Sequence, residues 1–134
     1  MSDRYDETLE YLYQQLPMFQ RLGGPAIKKD LGNILELMRV LGYPHHSLPA
    51  VHIAGTNGKG SVTHLTAAIY QAQGFRVGCY TSPHYKDFRE RIKINASFIP
   101  KSFVVNFVDQ LKPEIEDIQP SFFELTVAMA FQYF

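Results

Sequence analysis

The sequence predicts an α/β domain of the mononucleotide-binding kind, built in three layers around a mostly parallel sheet. Three observations lead to this fold class. Apolar residues repeat at helical spacing in several segments, short apolar runs typical of strands stand between them, and a glycine-rich turn joins one such run to the next helix. We expect residues 1–45 to be a helical segment and residues 50–134 to form the nucleotide-binding core.

Two helices are predicted in the first 45 residues. In residues 3–16 the apolar side chains recur three or four positions apart, and Pro17 ends the pattern. A loop with a Gly-Gly-Pro sequence follows at residues 18–25. The helical spacing returns in residues 27–41, and Gly42 and Pro44 indicate where that helix ends.

The pattern then changes to strand, turn, helix and strand. Residues 50–54 (AVHIA) are a short apolar run, residues 55–60 are the glycine-rich turn, residues 62–72 have helical spacing, and residues 76–80 (RVGCY) predict the next strand. Two strands joined by a crossover helix lie parallel in one sheet, with a right-handed connection. The parallel sheet is predicted from this unit.

The remaining residues predict a loop, a hairpin and two helices. Residues 81–90 lack periodicity, whereas residues 91–95 alternate and predict a strand paired with residues 98–99. Residues 103–111 predict a helix that is disturbed near Pro113. The last helix, residues 121–134, is apolar nearly all round and needs cover on both sides. We expect it to lack this cover here, and therefore to make the chain self-associate.

Composition excludes several classes of protein. Thirteen basic and thirteen acidic residues give zero net charge, so nothing indicates a nucleic-acid partner. No apolar run reaches about 18 residues, so no membrane span is predicted, and the polar N-terminus lacks the apolar core of a secretory signal. The single Cys rules out a disulfide framework and favours the cytoplasm.

The glycine-rich turn is the strongest chemical signal. Glycines let the backbone approach a phosphate, the next helix adds its N-terminal dipole, and Lys59 can reach the β- and γ-phosphates. The turn departs from the general pattern G-x-x-x-x-G-K-[ST], because Ile53 stands at the first glycine position and Gly60 follows the lysine. The alternative is an ordinary strand-to-helix turn that carries a surface lysine.

Five segments carry a family resemblance: GTNGKGS at 55–61, LGNI at 31–34, GFRVGCYTSPH at 74–84, FRERIKIN at 88–95 and SFFELTVAMAFQYF at 121–134. Together they resemble the folylpolyglutamate synthase and dihydrofolate synthase branch of the Mur ligase superfamily, over residues 5–134. Gly60 after Lys59 is typical of this branch, whereas the peptidoglycan branch usually has Thr there. The resemblance implies a fold of the Mur ligase central-domain type.

The resemblance also implies an ATP- and Mg²⁺-dependent ligase that phosphorylates a folate carboxylate and joins it to L-glutamate. The ATP phosphates would be held by Gly55, Thr56, Asn57, Gly58, Lys59, Gly60 and Ser61. Ser82 matches a serine that contributes to magnesium, although a plain turn after a strand also explains Ser82-Pro83. Arg91 matches an arginine near the reacting groups, so it and Lys59 are the implied catalytic residues. A solvated charge at a strand edge is the alternative for Arg91.

The folate side of the site is implied at two places. Residues 121–124, namely Ser121, Phe122, Phe123 and Glu124, match a segment beside the pterin or pteroate ring, and Asp30 lies in another such segment. Each has a structural alternative. Ser121 and Glu124 form the S-x-x-E pattern of a helix capping box, the two Phe residues can fill a core, and Asp30 can belong to a helical turn. His84 has no metal partner at ligand spacing and is interpreted as a loop histidine.

The resemblance also implies that this chain is the N-terminal fragment of a larger ligase. The family's magnesium-binding Glu, a metal-binding His and a whole C-terminal domain have no counterpart in these 134 residues. We therefore expect the fragment to be inactive alone, and the full-length parent to be a monomer. Two alternatives stay open: a peptidoglycan Mur ligase, and a nucleotide-binding module without catalysis.

Overall fold

A computed structural model describes residues 2–16 and 30–134 of the chain. These residues divide into two compact units. One comprises Met1–Ser47 with Lys101–Tyr133, and the other comprises Leu48–Pro100 with Phe134. Residues 101–133 thus group with the N-terminal helices, whereas the sequence analysis placed residues 50–134 in one core. The predicted loop at 18–25 and the start of the helix at 27 lie outside the described residues.

The first unit is helical. Its α-helices are α1 (Ser2–Gln15), α2 (Gly32–Val40), α4 (Lys101–Ile118) and α5 (Phe122–Tyr133), with a short 3₁₀ helix at Pro44–Ser47. Helix α1 packs on α4, and α2 packs on both α4 and α5. The buried core contains apolar residues from all four helices, including Leu12, Leu37, Val104, Leu125 and Met129. The two helices predicted in the first 45 residues are therefore present over their described parts.

Helix α4 continues through Pro113 to Ile118. A proline inside a helix removes one backbone hydrogen bond and costs about 3 kcal/mol. Leu111 and Ile115, on either side of it, are both buried, and α4 packs on α1. Tertiary packing overrides the local preference here, so the disturbance expected near Pro113 does not end the helix.

The final helix is covered, which corrects the sequence-based expectation. Seven residues of α5 are buried: Phe122, Glu124, Leu125, Thr126, Ala128, Met129 and Ala130. Helix α2 and the 3₁₀ helix at Pro44–Ser47 pack against it. An apolar surface on all sides predicts burial, and this chain supplies the burying partners from its own first unit.

The second unit contains α3 (Lys59–Ala72) and a three-stranded sheet of β1 (Gly78–Tyr80), β2 (Ile92–Ile94) and β3 (Ser97–Phe98). The strand order is β1-β2-β3, and both pairings are antiparallel. Asn95 and Ala96, with φ of 48° and 63°, form the two-residue turn between β2 and β3. Such left-handed turns match the twist of a hairpin, and the hairpin is as predicted.

The prediction of a mostly parallel sheet is wrong for the described residues. Residues 50–54 form no strand, and Val51 is 66% exposed. A parallel ladder needs two neighbouring strands, and β1 instead pairs with β2 through the register Gly78–Ile94. The coarser class holds, because helices and a sheet are both present and the fold is α/β. No helix of the described residues is long and apolar enough to span a membrane.

Helix α3 contributes part of the exposed apolar surface of the second unit. No residue of α3 is buried, and its apolar side chains Val62, Leu65 and Ile69 are 49%, 66% and 64% exposed. The helix has the predicted position, but the apolar side chains whose spacing predicted it are not packed in a core of the described residues. An exposed apolar face is therefore present on α3, whereas most of the last helix is buried.

Candidate functional site

The glycine-rich turn leads directly into α3. Gly58 is the N-cap of that helix and has a φ of 76°, in the left-handed region that favours glycine. The amide of Val62 donates to the carbonyl of Gly58 at 2.9 Å, which is the first bond of the helical ladder. The N–H groups of the residues before Val62 have no partner within the helix, because helical geometry provides none. These donors, with the helix dipole, form a suitable anion site.

Lys59 lies over this turn. Its Nζ donates to the carbonyl of Gly55 at 2.7 Å and to that of Thr56 at 3.3 Å. Every residue from 55 to 61 is exposed, so the turn is open to solvent. The ammonium group therefore bridges two carbonyl groups of the turn.

The polar loop that joins β1 to β2 holds Ser82 and Arg91. Ser82 is exposed and precedes a cis peptide bond to Pro83. Arg91 is only 3% exposed, and its Nε donates to Nδ1 of His84 at 2.8 Å. The solvated strand-edge alternative for Arg91 is therefore wrong, because its guanidinium lies in the protein interior.

Glu90 organises the same loop. Its carboxylate accepts the backbone N–H groups of Tyr85 at 2.8 Å, Lys86 at 3.0 Å and Asp87 at 2.8 Å. These bonds, led by the one from Tyr85, lower the pKa of Glu90. Asp87 in turn caps the 3₁₀ helix Phe88–Arg91, and together Asp87 and Glu90 form a capping box.

The first unit contains the remaining candidate residues. Ser121 and Glu124 form the predicted capping box: Oε2 of Glu124 accepts the Ser121 N–H at 2.7 Å and its hydroxyl at 2.9 Å. The hydroxyl oxygen accepts the Glu124 N–H at 3.2 Å. Asn33 donates to the same Oε2 at 3.5 Å. Both members of the box are buried. The capping role that was the structural alternative for this pair is therefore present in the molecule.

The other residues of this set differ in exposure. Phe122 is buried and stacks on Tyr13 with ring centroids 5.6 Å apart, so it is a core residue. Phe123, by contrast, is 56% exposed. Asp30 is also exposed, and its Oδ1 accepts the backbone N–H of Gly32 at 2.8 Å.

The structure thus gathers the candidate residues into two groups. Residues 55–61, Ser82 and Arg91 belong to the second unit, and Asp30 with residues 121–124 belongs to the first. Within the described residues no group of three His, Cys, Asp or Glu side chains could hold a metal ion. The sequence analysis missed the roles of His84 and Glu90. The D-x-x-E spacing of Asp87 and Glu90 is a capping signal that would have found the second of them.

The fold defined by these elements recurs in solved enzymes of folate metabolism. A folylpolyglutamate synthase from Thermotoga maritima superposes with a TM-score of 0.84 at 40% identity, over 97% of this chain and 30% of that one. A solved FPGS-AMPPCP-folate complex superposes with a TM-score of 0.83 at 34% identity, over 97% of this chain and 32% of that one.

Sequence comparison agrees. The dihydrofolate synthase/folylpolyglutamate synthase of Bacillus subtilis is 40% identical over 115 residues, which are 81% of this chain and 27% of that protein. No protein-family model matches the chain. The resemblance to the folylpolyglutamate synthase/dihydrofolate synthase family is confirmed, because over most of its length the chain is similar to members of that family. It spans about 15–30% of the length of the curated relatives it matches.

Proposed function

We propose that this chain is the ATP-binding part of a ligase that adds L-glutamate to a folate. The reaction is the polyglutamylation of tetrahydrofolate, the conversion of dihydropteroate to dihydrofolate, or both. The observation that carries the proposal is the glycine turn of residues 55–61, with Lys59 folded over it at the start of α3. The solved relative that holds both AMPPCP and folate supports the pairing of these two ligands.

The chemistry requires activation of a carboxylate. A carboxylate is a poor electrophile, so its oxygen first takes the γ-phosphoryl group of ATP, which gives an acyl phosphate and ADP. The amine of glutamate then attacks the acyl carbon, an amide bond forms, and inorganic phosphate leaves with the former carboxylate oxygen. The protein's contribution is to align the phosphoryl group and to stabilise its charge.

Each candidate residue of the second unit has a role in this scheme. Residues 55–61 cradle the phosphates through backbone N–H groups, and Lys59 exchanges its carbonyl partners for the β- and γ-phosphate oxygens. The guanidinium of Arg91 stabilises negative charge on the acyl phosphate. Mg²⁺, when bound, would neutralise part of the negative charge of the phosphates. The exposed hydroxyl of Ser82 is a hard oxygen donor of the kind that Mg²⁺ accepts, beside phosphates and waters.

The first unit supplies part of the folate site in this proposal. Exposed Phe123 stacks on the pterin or pteroate ring, and Asp30 and the capped N-terminus of α5, with Ser121 and Glu124, border it. Phe122 supports this end of the helix from the core.

We further propose that residues 1–134 are the first part of a P-loop-like nucleotide-binding domain. The single cysteine, Cys79, is free, which suits a reducing cytoplasm.

Calorimetric titration of the chain with AMPPCP tests the proposal. Replacing Lys59→Ala removes one charge-assisted phosphate contact, which is worth about 1.5–3 kcal/mol, so the affinity should fall about 10- to 100-fold. Lys112→Ala is the matched control, because Lys112 is an exposed lysine of α4 in the other unit. Equal affinities for the two variants would refute the role of the turn.

A second assay separates the ligase from a nucleotide-binding module without catalysis. ADP release is measured with ATP, Mg²⁺, dihydropteroate and L-glutamate, and again with tetrahydrofolate as the acceptor. The chain alone should release no acceptor-dependent ADP, because it spans less than a third of its relatives. The full-length ligase should release ADP only when an acceptor is present. If the full-length protein binds ATP whether or not an acceptor is present, and releases no ADP, the nucleotide-binding module would be favoured.

A further inference from the structure

Arg91 is held by a neutral acceptor. Its Nε donates to Nδ1 of His84 at 2.8 Å, and the guanidinium is almost fully buried. A histidine nitrogen accepts a hydrogen bond only when it carries no proton, so His84 carries its proton on Nε2. The bond from Arg91 therefore requires a neutral imidazole ring at His84.

The loop between the two residues is closed by Glu90. Its carboxylate gathers the N–H groups of Tyr85, Lys86 and Asp87, which immediately follow His84. At the other end of the loop, the amide of Thr81 donates to the carbonyl of Arg91 at 3.0 Å. His84 and Arg91 therefore lie on opposite sides of the loop. The backbone of the loop is hydrogen-bonded to the 3₁₀ helix that contains Arg91.

We propose that His84 is a positioning residue for Arg91. The guanidinium is planar, so a bond to Nε fixes the direction of its other N–H groups. An imidazole nitrogen orients the group without contributing a negative charge, whereas a carboxylate in the same place would offset part of the arginine's attraction for an anion. This inference rests on the proposed function, in which Arg91 stabilises the acyl phosphate.

Two substitutions separate positioning from packing. His84→Leu removes the acceptor while keeping apolar bulk, and His84→Asn keeps an acceptor oxygen close to the place of Nδ1. His46→Leu is the matched control, because His46 belongs to the other unit and stacks on Tyr43. Nitrogen-proton spectra of the chain report the Nε–H signal of Arg91, which Arg91→Lys identifies by its disappearance.

The Arg91 Nε–H signal should exchange slowly in the original chain, in His84→Asn and in His46→Leu. It should broaden or shift to the position of a solvated arginine in His84→Leu. An unchanged signal in His84→Leu overturns the proposal at the structural level. The backbone amide spectrum checks that each variant is folded. If the Leu variant is not folded, the Asn variant keeps the test decisive.

Kinetics of the full-length ligase test the consequence. His84→Leu should lower kcat about 10- to 100-fold with little change in KM for ATP, and His84→Asn should restore most of it. If Arg91→Ala lowers kcat but His84→Leu does not, the positioning role is refuted while the proposed function stands. If Arg91→Ala leaves kcat unchanged, the role proposed for Arg91 fails first, and the spectra still decide whether His84 holds it.

Discussion

Replacement of Glu124 tests whether the start of α5 is a structural cap. Its Oε2 accepts both the N–H and the hydroxyl of Ser121, at 2.7 and 2.9 Å. Glu124 and Ser121 are 8% and 5% exposed, so water cannot easily replace the carboxylate. Glu124→Ala would leave both of these buried donors without their acceptor.

The magnitude follows from those donors. A buried polar group that loses its partner costs about 1–3 kcal/mol, and loss of a helix cap costs about 1 kcal/mol. Because the two effects share the same atoms, they do not add in full, and we expect Glu124→Ala to lower the free energy of unfolding by about 2–3 kcal/mol. Glu124→Gln keeps a neutral acceptor oxygen and should cost about 1 kcal/mol.

Urea unfolding followed by circular dichroism measures these differences. Glu7→Ala is the control, because Glu7 is an exposed glutamate of α1, and it should stay within about 0.5 kcal/mol of the original chain. If Glu124→Ala were as stable as the control, the capping argument would be wrong. A role in folate binding alone would lower folate affinity in the full-length protein and leave the unfolding curve of this chain unchanged.

Three further predictions concern the second unit. Hydrogen bonds to its carboxylate lower the pKa of Glu90 in the folded state. The contribution of the ionised carboxylate to stability is therefore complete above the ordinary carboxyl pKa of about 4.3, and it is lost as pH falls through the folded-state pKa. Amide exchange at Tyr85 should therefore accelerate in acid, and Glu90→Gln should remove that pH dependence. Burial raises the pKa of the Cys79 thiol, so iodoacetamide at pH 7 should label it more slowly than the unfolded chain, and equal rates would contradict its burial. We expect the exposed apolar face of α3 to promote self-association, so Leu65→Lys on that face should weaken it in sedimentation experiments more than Leu31→Lys, although both leucines are exposed.

Helices were the most predictable part of the fold. The apolar spacing that buries Leu12 and Leu37 depends only on residues near each other in the chain. The composition of α5 indicated that it needs cover, but the expectation that this chain leaves it uncovered was wrong, because its partners α2 and the 3₁₀ helix at Pro44–Ser47 are distant in sequence. The apolar run at 50–54 was wrongly predicted to pair, since a strand depends on a neighbour that its own residues do not specify.

The candidate site divides in the same way. The position of the glycine turn before α3 was predictable because the turn is built from consecutive residues, and its binding of phosphate stays a prediction. The capping box of Ser121 and Glu124 was predictable from a spacing of three. The bond from Arg91 to His84 was not predictable, because it depends on how the loop between them closes. The D-x-x-E spacing indicates the bond from Glu90 to Asp87, but no sequence pattern indicates the bonds from Tyr85 and Lys86 to Glu90.

The most direct test of the account is to map where the nucleotide binds. Amide spectra of the chain are recorded as AMPPCP and Mg²⁺ are added, with the Lys59→Ala variant in parallel. The shifts should concentrate at residues 55–61 and at the first turn of α3, and they should be lost or strongly reduced in Lys59→Ala. Shifts centred on another surface, or the same shifts in both proteins, would contradict it.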